Sequence, residues 1–321
     1  MNQHDHHTTV PPILFLIFNR PDLTQRVFDR IREARPPKLF IAADGPRADR
    51  PHEAQLCQET RAVVEQVDWD CEVHTLFREQ NLGCRRAVSS AIDWFFAQVE
   101  AGIILEDDCL PDLSFFPYCA ELLERYRDDE RVMMISGCNF HDQSHLPDQS
   151  YYFIGIYHIW GWATWRRAWA HYDITLSQWP TLRETDWLKG WLNSDDTARV
   201  WHNIFDMMHY HPIDSWAYSW VYSGWQQHGL AIQPVVNLIS NLGFDERATH
   251  TREPDSWLGR LPVHSLTFPL KHPVGMIRNY ATERFEAKNL FGAQPLWRQR
   301  MAFPVRVLRA IYRRTLARKT R

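Results

Sequence analysis

Three adjacent acids, Glu106, Asp107 and Asp108, have the clearest chemical use of any residues in this chain. They follow the apolar run Ile103-Ile104-Leu105 and precede Pro111-Asp112-Leu113. Consecutive carboxylates repel one another, and where water is scarce a cation or basic neighbours must offset that repulsion. Hard carboxylate oxygens suit Mg²⁺ or Mn²⁺, which take one or two such ligands and fill the rest of their shell with phosphate oxygens and water. A solvated acidic turn is the plain alternative. The apolar strand leading in and the Pro-Asp turn leading out weigh against it.

Other polar clusters share this setting. Asn19-Arg20 ends the apolar run Ile13–Phe18, Asp44-Gly45 ends Lys38–Ala42, and Arg78 with Asn81 follows Glu72–Phe77. Between these short strands lie helical patterns over Asp22–Ala34, Glu53–Val67 and Arg85–Gln98, the first opened by Pro21 and Asp22. Strand and helix in alternation predict a mainly parallel sheet covered on both faces. In such sheets ligands bind in a crevice outside the carboxyl ends of the strands. All four clusters fall at those ends, so they are expected on one rim. Beyond Asp112 the pattern predicts a helix over Phe115–Tyr126 and a strand over Arg131–Ser136. Aromatic-rich turns over Tyr151–Trp169 and two or three helical stretches between Trp179 and His211 come next.

The motifs FNRP (Phe18–Pro21), AADG (Ala42–Gly45), REQNLGC (Arg78–Cys84) and LEDDCLP (Leu105–Pro111) occur in that order. Together the set resembles nucleotide-diphospho-sugar transferases of the GT-A fold, in particular the N-acetylglucosaminyltransferase I type and its bacterial relatives. The resemblance implies a Rossmann-like, mostly parallel α/β sheet flanked by helices, with an aromatic-rich acceptor-side second half and a basic C-terminal tail. With no linker in sight, the chain reads as a disordered 1–10, a transferase domain 11–295 and a basic amphipathic helix 296–321. The domain itself divides into a nucleotide-binding half, 11–112, and an acceptor and catalytic half, 113–295.

The resemblance also implies roles. Asp108 is matched to the ligand of a Mn²⁺ or Mg²⁺ ion bridging the UDP diphosphate, Asp107 to the ribose side and Asp44 to the uracil edge. Arg20 is matched to a position against the nucleotide, and Asn19, Arg78, Asn81 and Glu106 complete the nucleotide-sugar set. In the second half, His211-Pro212-Ile213-Asp214-Ser215-Trp216 resembles the stretch that supplies the base of an inverting transfer, which deprotonates the acceptor hydroxyl. An N-cap of the helix that follows is the alternative for Asp214. His250, in the segment Asp245–Thr251, is matched to a metal or phosphate contact, with a solvated loop histidine as its alternative.

The implied reaction moves a sugar from a UDP-sugar to a carbohydrate or lipid-linked glycan acceptor, in bacterial cell-surface glycan synthesis. A sugar-1-phosphate nucleotidyltransferase would want a glycine-rich loop after the first strand, where Asn19-Arg20-Pro21 stands instead. A degenerate sugar- or nucleotide-binding protein would not need Asp214.

Composition limits the partners. A net charge of −3 gives no general affinity for nucleic acid. No Asp or Glu follows Glu286, whereas ten Lys and Arg run from Lys288 to Arg321. That tail fits peripheral contact with an anionic membrane or, equally, a frayed or self-docked basic helix. The six cysteines show no C-x-x-C spacing. Val10–Phe18 is too short to span a bilayer and lacks the flanks of a signal peptide, so a cytoplasmic location, peripheral at most, is expected. His4, His6 and His7 read as a disordered terminus rather than a metal site. Of the fifteen tryptophans, most lie between Trp160 and Trp225. Trp165 and Trp169 are expected in the core, with Trp162 open to either core or ligand.

Overall fold

The computed structural model describes residues 9–141, 148–244 and 256–294. The terminal segments 1–8 and 295–321, with the basic tail and the His4, His6, His7 cluster, and the loop carrying His250 lie outside these ranges.

The first half alternates as its sequence predicts. It runs β1 (Ile13–Ile17), α1 (Pro21–Ala34), β2 (Lys38–Ala43), α2 (Glu53–Val63), β3 (Glu72–Phe77), α3 (Cys84–Phe96) and β4 (Ala101–Glu106). A short strand β5 (Cys109–Pro111), α4 (Phe115–Arg125) and β6 (Val132–Ser136) follow. The helix read as far as Val67 ends at Val63 and tightens into a 3₁₀ turn over Val64–Gln66, a common ending for a helix whose last carbonyls lack partners.

In the second half, β7 (Tyr151–Ile154) and β8 (Trp162–Trp165) precede α5 (Arg166–Trp169), α6 (Trp179–Leu182), α7 (Trp187–Leu192), α8 (Asp195–Tyr210) and α9 (Ala217–Gln226). Then come β9 (Leu230–Pro234), β10 (Ile239–Asn241) and α10 (Tyr280–Asn289). Strands β7 and β8 lie where the sequence reads as turns. All four residues of each are buried, so the polar–apolar alternation that marks a half-exposed strand is absent.

Eight strands form one sheet in the order β3-β2-β1-β4-β8-β6-β9-β7. The block β3-β2-β1-β4 is parallel throughout. Strand β8 inserts antiparallel between β4 and β6, and β7 runs antiparallel beside β9, which is parallel to β6. Most strands therefore run one way, giving a mostly parallel α/β sheet flanked by helices. Along β1 the side chains divide by parity. Ile13, Phe15 and Ile17 pack with Val27, Phe28 and Ile31 of α1 and with α4, whereas Leu14 and Leu16 pack with Val88, Ala91 and Phe95 of α3.

The tryptophans fill the second of these cores. Trp162, Trp179, Trp220 and Trp225 have no exposed surface. Trp162 stacks on Trp216, ring centroids 5.5 Å apart, which resolves its place in favour of the core. Buried indole nitrogens find partners where they can: Trp169 Nε1 donates to Asp93 at 2.7 Å and Trp179 Nε1 to Asp206 at 3.0 Å. Among the described residues no helix is long and apolar enough to cross a membrane.

Candidate active site

The strand order creates the site. After β1 the chain steps outward to β2 and β3, then returns to lay β4 on the other side of β1, in register Leu16 with Glu106. Between β1 and β4 the strand order reverses, and the segments leaving their carboxyl ends diverge to leave a crevice. Asn19-Arg20 leaves β1 there and Asp107-Asp108 leaves β4, so Arg20 meets the acids across 87 and 88 residues of sequence. Its guanidinium forms a short ion pair with Asp107 and reaches Asp108 Oδ2 at 3.0 Å. Phe18 N–H donates to Asp107 Oδ2 at 3.3 Å. Asp107 is thus held from two directions, and Asp108 is the more exposed acid of the two.

Burial together with the charges of Asp108 and Asp107 pushes the Glu106 carboxyl up to about 8. Burial also holds Asp107 above the ordinary carboxylate range, to about 6, against the pull of Arg20. Arg20 itself is desolvated, yet the two aspartates outweigh that and strengthen its hold on its proton. One arginine therefore does not neutralise three acids.

A cavity of about 800 Å³ opens over this point. Arg20, Asp44, Arg78, Asn81, Glu106, Asp107, Asp108 and Asp214 all line it. The rim expected from strand ends exists, and Asp214 joins it from the second half.

Asn19 does not line it. Its side chain turns away and donates to Glu53 Oε1 at 2.8 Å. Glu53, nearly buried in the first turn of α2, also accepts from Arg47 N–H at 2.7 Å and ion-pairs with the Arg47 guanidinium. Asn19 thus helps fix the loop that carries Arg47 into the cavity. Arg47 lies only three residues beyond Asp44, yet no motif in the sequence marks it as a lining residue.

Asp44 lines the cavity with its carboxylate already filled. Oδ1 accepts from Gly45 N–H at 2.9 Å and Leu82 N–H at 3.0 Å; Oδ2 accepts from Asn81 Nδ2 at 3.0 Å and Gly83 N–H at 3.2 Å. The expected partner of a uracil edge is therefore an organiser of the Asn81–Gly83 turn, and a base N–H would compete with four internal donors. Asn81 spends its amide in the same way, donating also to Gly45 O at 2.9 Å. Arg78 donates to Ser90 Oγ at 2.7 Å.

This turn has no room for a side chain at Gly45. A Cβ there would stand 2.4–2.7 Å from three backbone atoms of Gln80. Gly45→Ala is expected to destabilise the protein by about 1–3 kcal/mol, the range for overpacking. Gly190, inside α7 with nothing within 4 Å of its would-be Cβ, is the control. Gly190→Ala should stabilise by about 0.5–1 kcal/mol. Urea denaturation of both variants checks this, and equal midpoints would refute the close-approach account.

Asp214 caps a helix, but not the one that follows it. Helix α9 begins three residues later without a side-chain cap. Both Asp214 oxygens instead accept from the first amides of α3: Cys84 N–H at 2.9 Å and Arg85 N–H at 2.7 Å. These are amides that a helix leaves unpaired, and the dipole there favours negative charge. Gly83, at φ +77, lets the chain turn beneath the carboxylate, since a Cβ would sit 2.9 Å from Asp214 Oδ2. The contact ties the 213–216 segment, which lines the cavity, to the start of α3.

Next to the acids, β10 pairs antiparallel with β5, Asn241 opposite Cys109, and Leu242 N–H donates to Asp108 O at 2.8 Å. Gly243 thereby lies directly against the Asp108 carboxylate. Trp160, Phe140 and His158 form an aromatic wall. Trp160 and His158 belong to the aromatic-rich stretch Tyr151–Trp169, Phe140 lies outside it, and nothing in the spacing points to His158.

No family model matches the sequence, and no curated protein matches it. Solved structures resemble it in part. The crystal structure of S. aureus TarS 1–349 aligns over 51% of this chain and 49% of its own, at 10% identity and a TM-score of 0.38. This chain thus spans about half the length of TarS 1–349 in that match. A structure named as a nucleotide-diphospho-sugar transferase from Desulfovibrio desulfuricans G20 aligns over 69% of this chain and 78% of its own, at 13% identity and a TM-score of 0.33. UDP-glucose pyrophosphorylase complexed with UDP-glucose covers 46% of this chain and 64% of its own, at 12% identity and a TM-score of 0.27. With every one of these scores below 0.5, the likenesses are partial and assign no activity.

Proposed function

We propose that this chain is a nucleotide-sugar-dependent transferase that passes a sugar from a UDP-sugar to a carbohydrate hydroxyl with inversion. The observation that carries the reading is the convergence of Arg20, the acids 106–108 and Asp214 on one cavity.

The charge balance there favours a diphosphate accompanied by a cation. Three guanidiniums, Arg20, Arg47 and Arg78, face the carboxylates of Asp44, Glu106, Asp107, Asp108 and Asp214. A lone diphosphate would add charge to a site that already has an acidic excess. Among the described residues no three His, Cys, Asp or Glu side chains form a cation cage. Mg²⁺ or Mn²⁺ would be held by one or two carboxylates together with substrate phosphates. Asp108 is the proposed ligand, and His250 a second candidate. When bound, the cation offsets negative charge on the leaving diphosphate.

The chain's own residues do the rest. Asp107 aims Arg20 at the nucleotide side, and Arg47 and Arg78 supply further positive charge. The aromatic wall excludes water, so that transfer outpaces hydrolysis. Asp214, lining the cavity and held by two amides of α3, takes the proton of the attacking hydroxyl.

Asp214→Asn separates capping from catalysis. Asparagine keeps only one of the two oxygens that accept from Cys84 and Arg85 N–H, so stability should fall by about 1 kcal/mol, the loss of one capping bond. Turnover should fall by about 10²- to 10⁴-fold, the usual worth of a general base. The measurement is UDP release from a panel of UDP-sugars with Mn²⁺, including slow hydrolysis without acceptor. Unchanged turnover would remove Asp214 from the mechanism, and absence of UDP binding by calorimetry with Mn²⁺ present would remove the whole reading.

A further inference from the structure

Helix α10 lies far from the acids in sequence and carries two buried glutamates one turn apart. Glu283 is committed to structure. It ion-pairs with the Arg278 guanidinium, Oε1 to Nε at 2.6 Å, and caps Gly155 N–H. Glu286 is different. It has no exposed surface, and its Oε2 lies 2.9 Å from Nε2 of His158, a residue that lines the cavity. Its Oε1 accepts from Gln233 Nε2 at 3.1 Å and lies 3.4 Å from His141 Nε2.

A carboxylate on one ring nitrogen of a histidine fixes the tautomer and the ring's direction, leaving the other nitrogen for different work. Here Nε2 is turned into α10. Nδ1 makes no hydrogen bond to any described residue.

His158 is the one imidazole among the described residues that line this cavity. Its ring stands edge-on to Phe140 at 4.6 Å, Phe140 meets Trp160 at 5.3 Å, and Trp160 meets Phe244 at 5.6 Å. Phe244 follows Gly243, which lies against Asp108. His158, Phe140 and Trp160 line the same cavity as Asp108 and Gly243, with Phe244 packed edge-on to Trp160. A pyranose has apolar C–H faces that pack on aromatic rings and hydroxyls that need polar partners. An aromatic surface ending in one oriented imidazole offers both.

We propose that His158, aimed by Glu286, hydrogen-bonds a hydroxyl of the transferred sugar and so sets donor specificity, a role that rests on the nucleotide-sugar reading. Glu286 and Gln233 are positioning residues behind it. A site built to pair a hydroxyl discriminates more strongly than one that merely packs a ring, because the unpaired polar group is costly.

The test compares UDP with UDP-glucose, UDP-galactose, UDP-N-acetylglucosamine and UDP-N-acetylgalactosamine, by calorimetry in Mn²⁺ and by KM and kcat of UDP release. The wild type should bind one UDP-sugar more tightly than the rest. In His158→Leu, UDP affinity should stay within about twofold, while the preference among sugars should shrink by about tenfold. His158→Gln, with a side-chain amide, should recover part of that preference, and it substitutes for the leucine variant if that one does not fold. Glu286→Gln should raise KM for the preferred sugar while leaving UDP affinity intact.

A preference among sugars that survives in His158→Leu overturns the proposal. So does an equal loss of UDP and UDP-sugar in both His158 variants, which would mean that the residue only holds the wall. A wild type that binds no UDP fails at the earlier step and refutes the nucleotide-sugar reading itself.

Discussion

Asp108→Ala is expected to lower turnover of the UDP-sugar by about 10²- to 10³-fold, the cost of removing one group that stabilises developing charge. Stability should be unchanged or slightly higher. Asp108 is one of three repelling acids, and its loss leaves Arg20 paired with Asp107. Asp107→Ala should behave in the opposite sense. It strips Arg20 of its closest partner and Phe18 N–H of its acceptor, so the fold should weaken along with activity. Thermal melts alongside Mn²⁺-dependent UDP release separate the two variants. Full turnover in Asp108→Ala, or full turnover of the wild type in excess chelator, would remove the cation from the site.

The same acids give a pH signature. Glu106 and Asp107 hold their protons above the ordinary carboxylate range, up to about 8 and about 6. From about pH 4.5 to pH 8 the folded protein therefore binds more protons at these groups than the unfolded chain does, and stability falls as pH rises. A bound cation favours the ionised forms and reverses this. Mn²⁺ with UDP should accordingly raise the melting temperature more at pH 8 than at pH 6, and the opposite order would contradict the assignment.

Glu286→Ala is expected to destabilise the protein by about 3–5 kcal/mol, the cost of removing one partner from a buried charged network. The alanine would leave a void and strand Gln233 Nε2 and His158 Nε2, both buried and both bonded to this carboxylate. Glu286→Gln should cost less, since an amide oxygen replaces one acceptor. Burial alone would raise the Glu286 carboxyl, but His158 beside it, with the hydrogen bonds from His158 and Gln233 and the nearby His141, outweighs that and holds it down at about 2. With its folded value depressed, the stability it contributes is complete above about pH 4.5 and is lost as pH falls towards 2. Wild type and Glu286→Gln should therefore converge in melting temperature between pH 4.5 and pH 2.5. A constant gap across that range would show that the carboxylate charge is not what the fold uses.

Much of the first half was legible in sequence. Strands β1, β2 and β4 are mainly apolar runs, β3 is a mixed edge strand, and the strands end at Pro, Gly or a polar cluster while the helices between them show a 3.6-residue apolar stripe. Local signals and global fold agree over that stretch. The second half was not legible in the same way. In Trp162–Trp165 and Tyr151–Ile154 every side chain is buried, so neither strand shows a period of two, and both read as aromatic turns. Strand-end position fixes where Asn19 lies but not where its side chain points. Glu53, 34 residues away, captures it.

The sequence by itself determined the alternation of β1 to β4 with α1 to α3, and with it the rim on which Arg20, Asp44, Arg78 and Glu106-Asp107-Asp108 converge. That much follows from chain chemistry, because a parallel crossover brings successive strand ends to one side. Only the tertiary structure decided what those groups do on the rim: that Arg20 is shared between two acids, that Asp44 is filled by its own turn, and that Asp214 grips the start of α3 rather than its own helix. Only the tertiary structure brought Glu286 to His158 across 128 residues. Hydrogen-bond partners chosen over such distances depend on which faces pack together, and local periodicity does not carry that information.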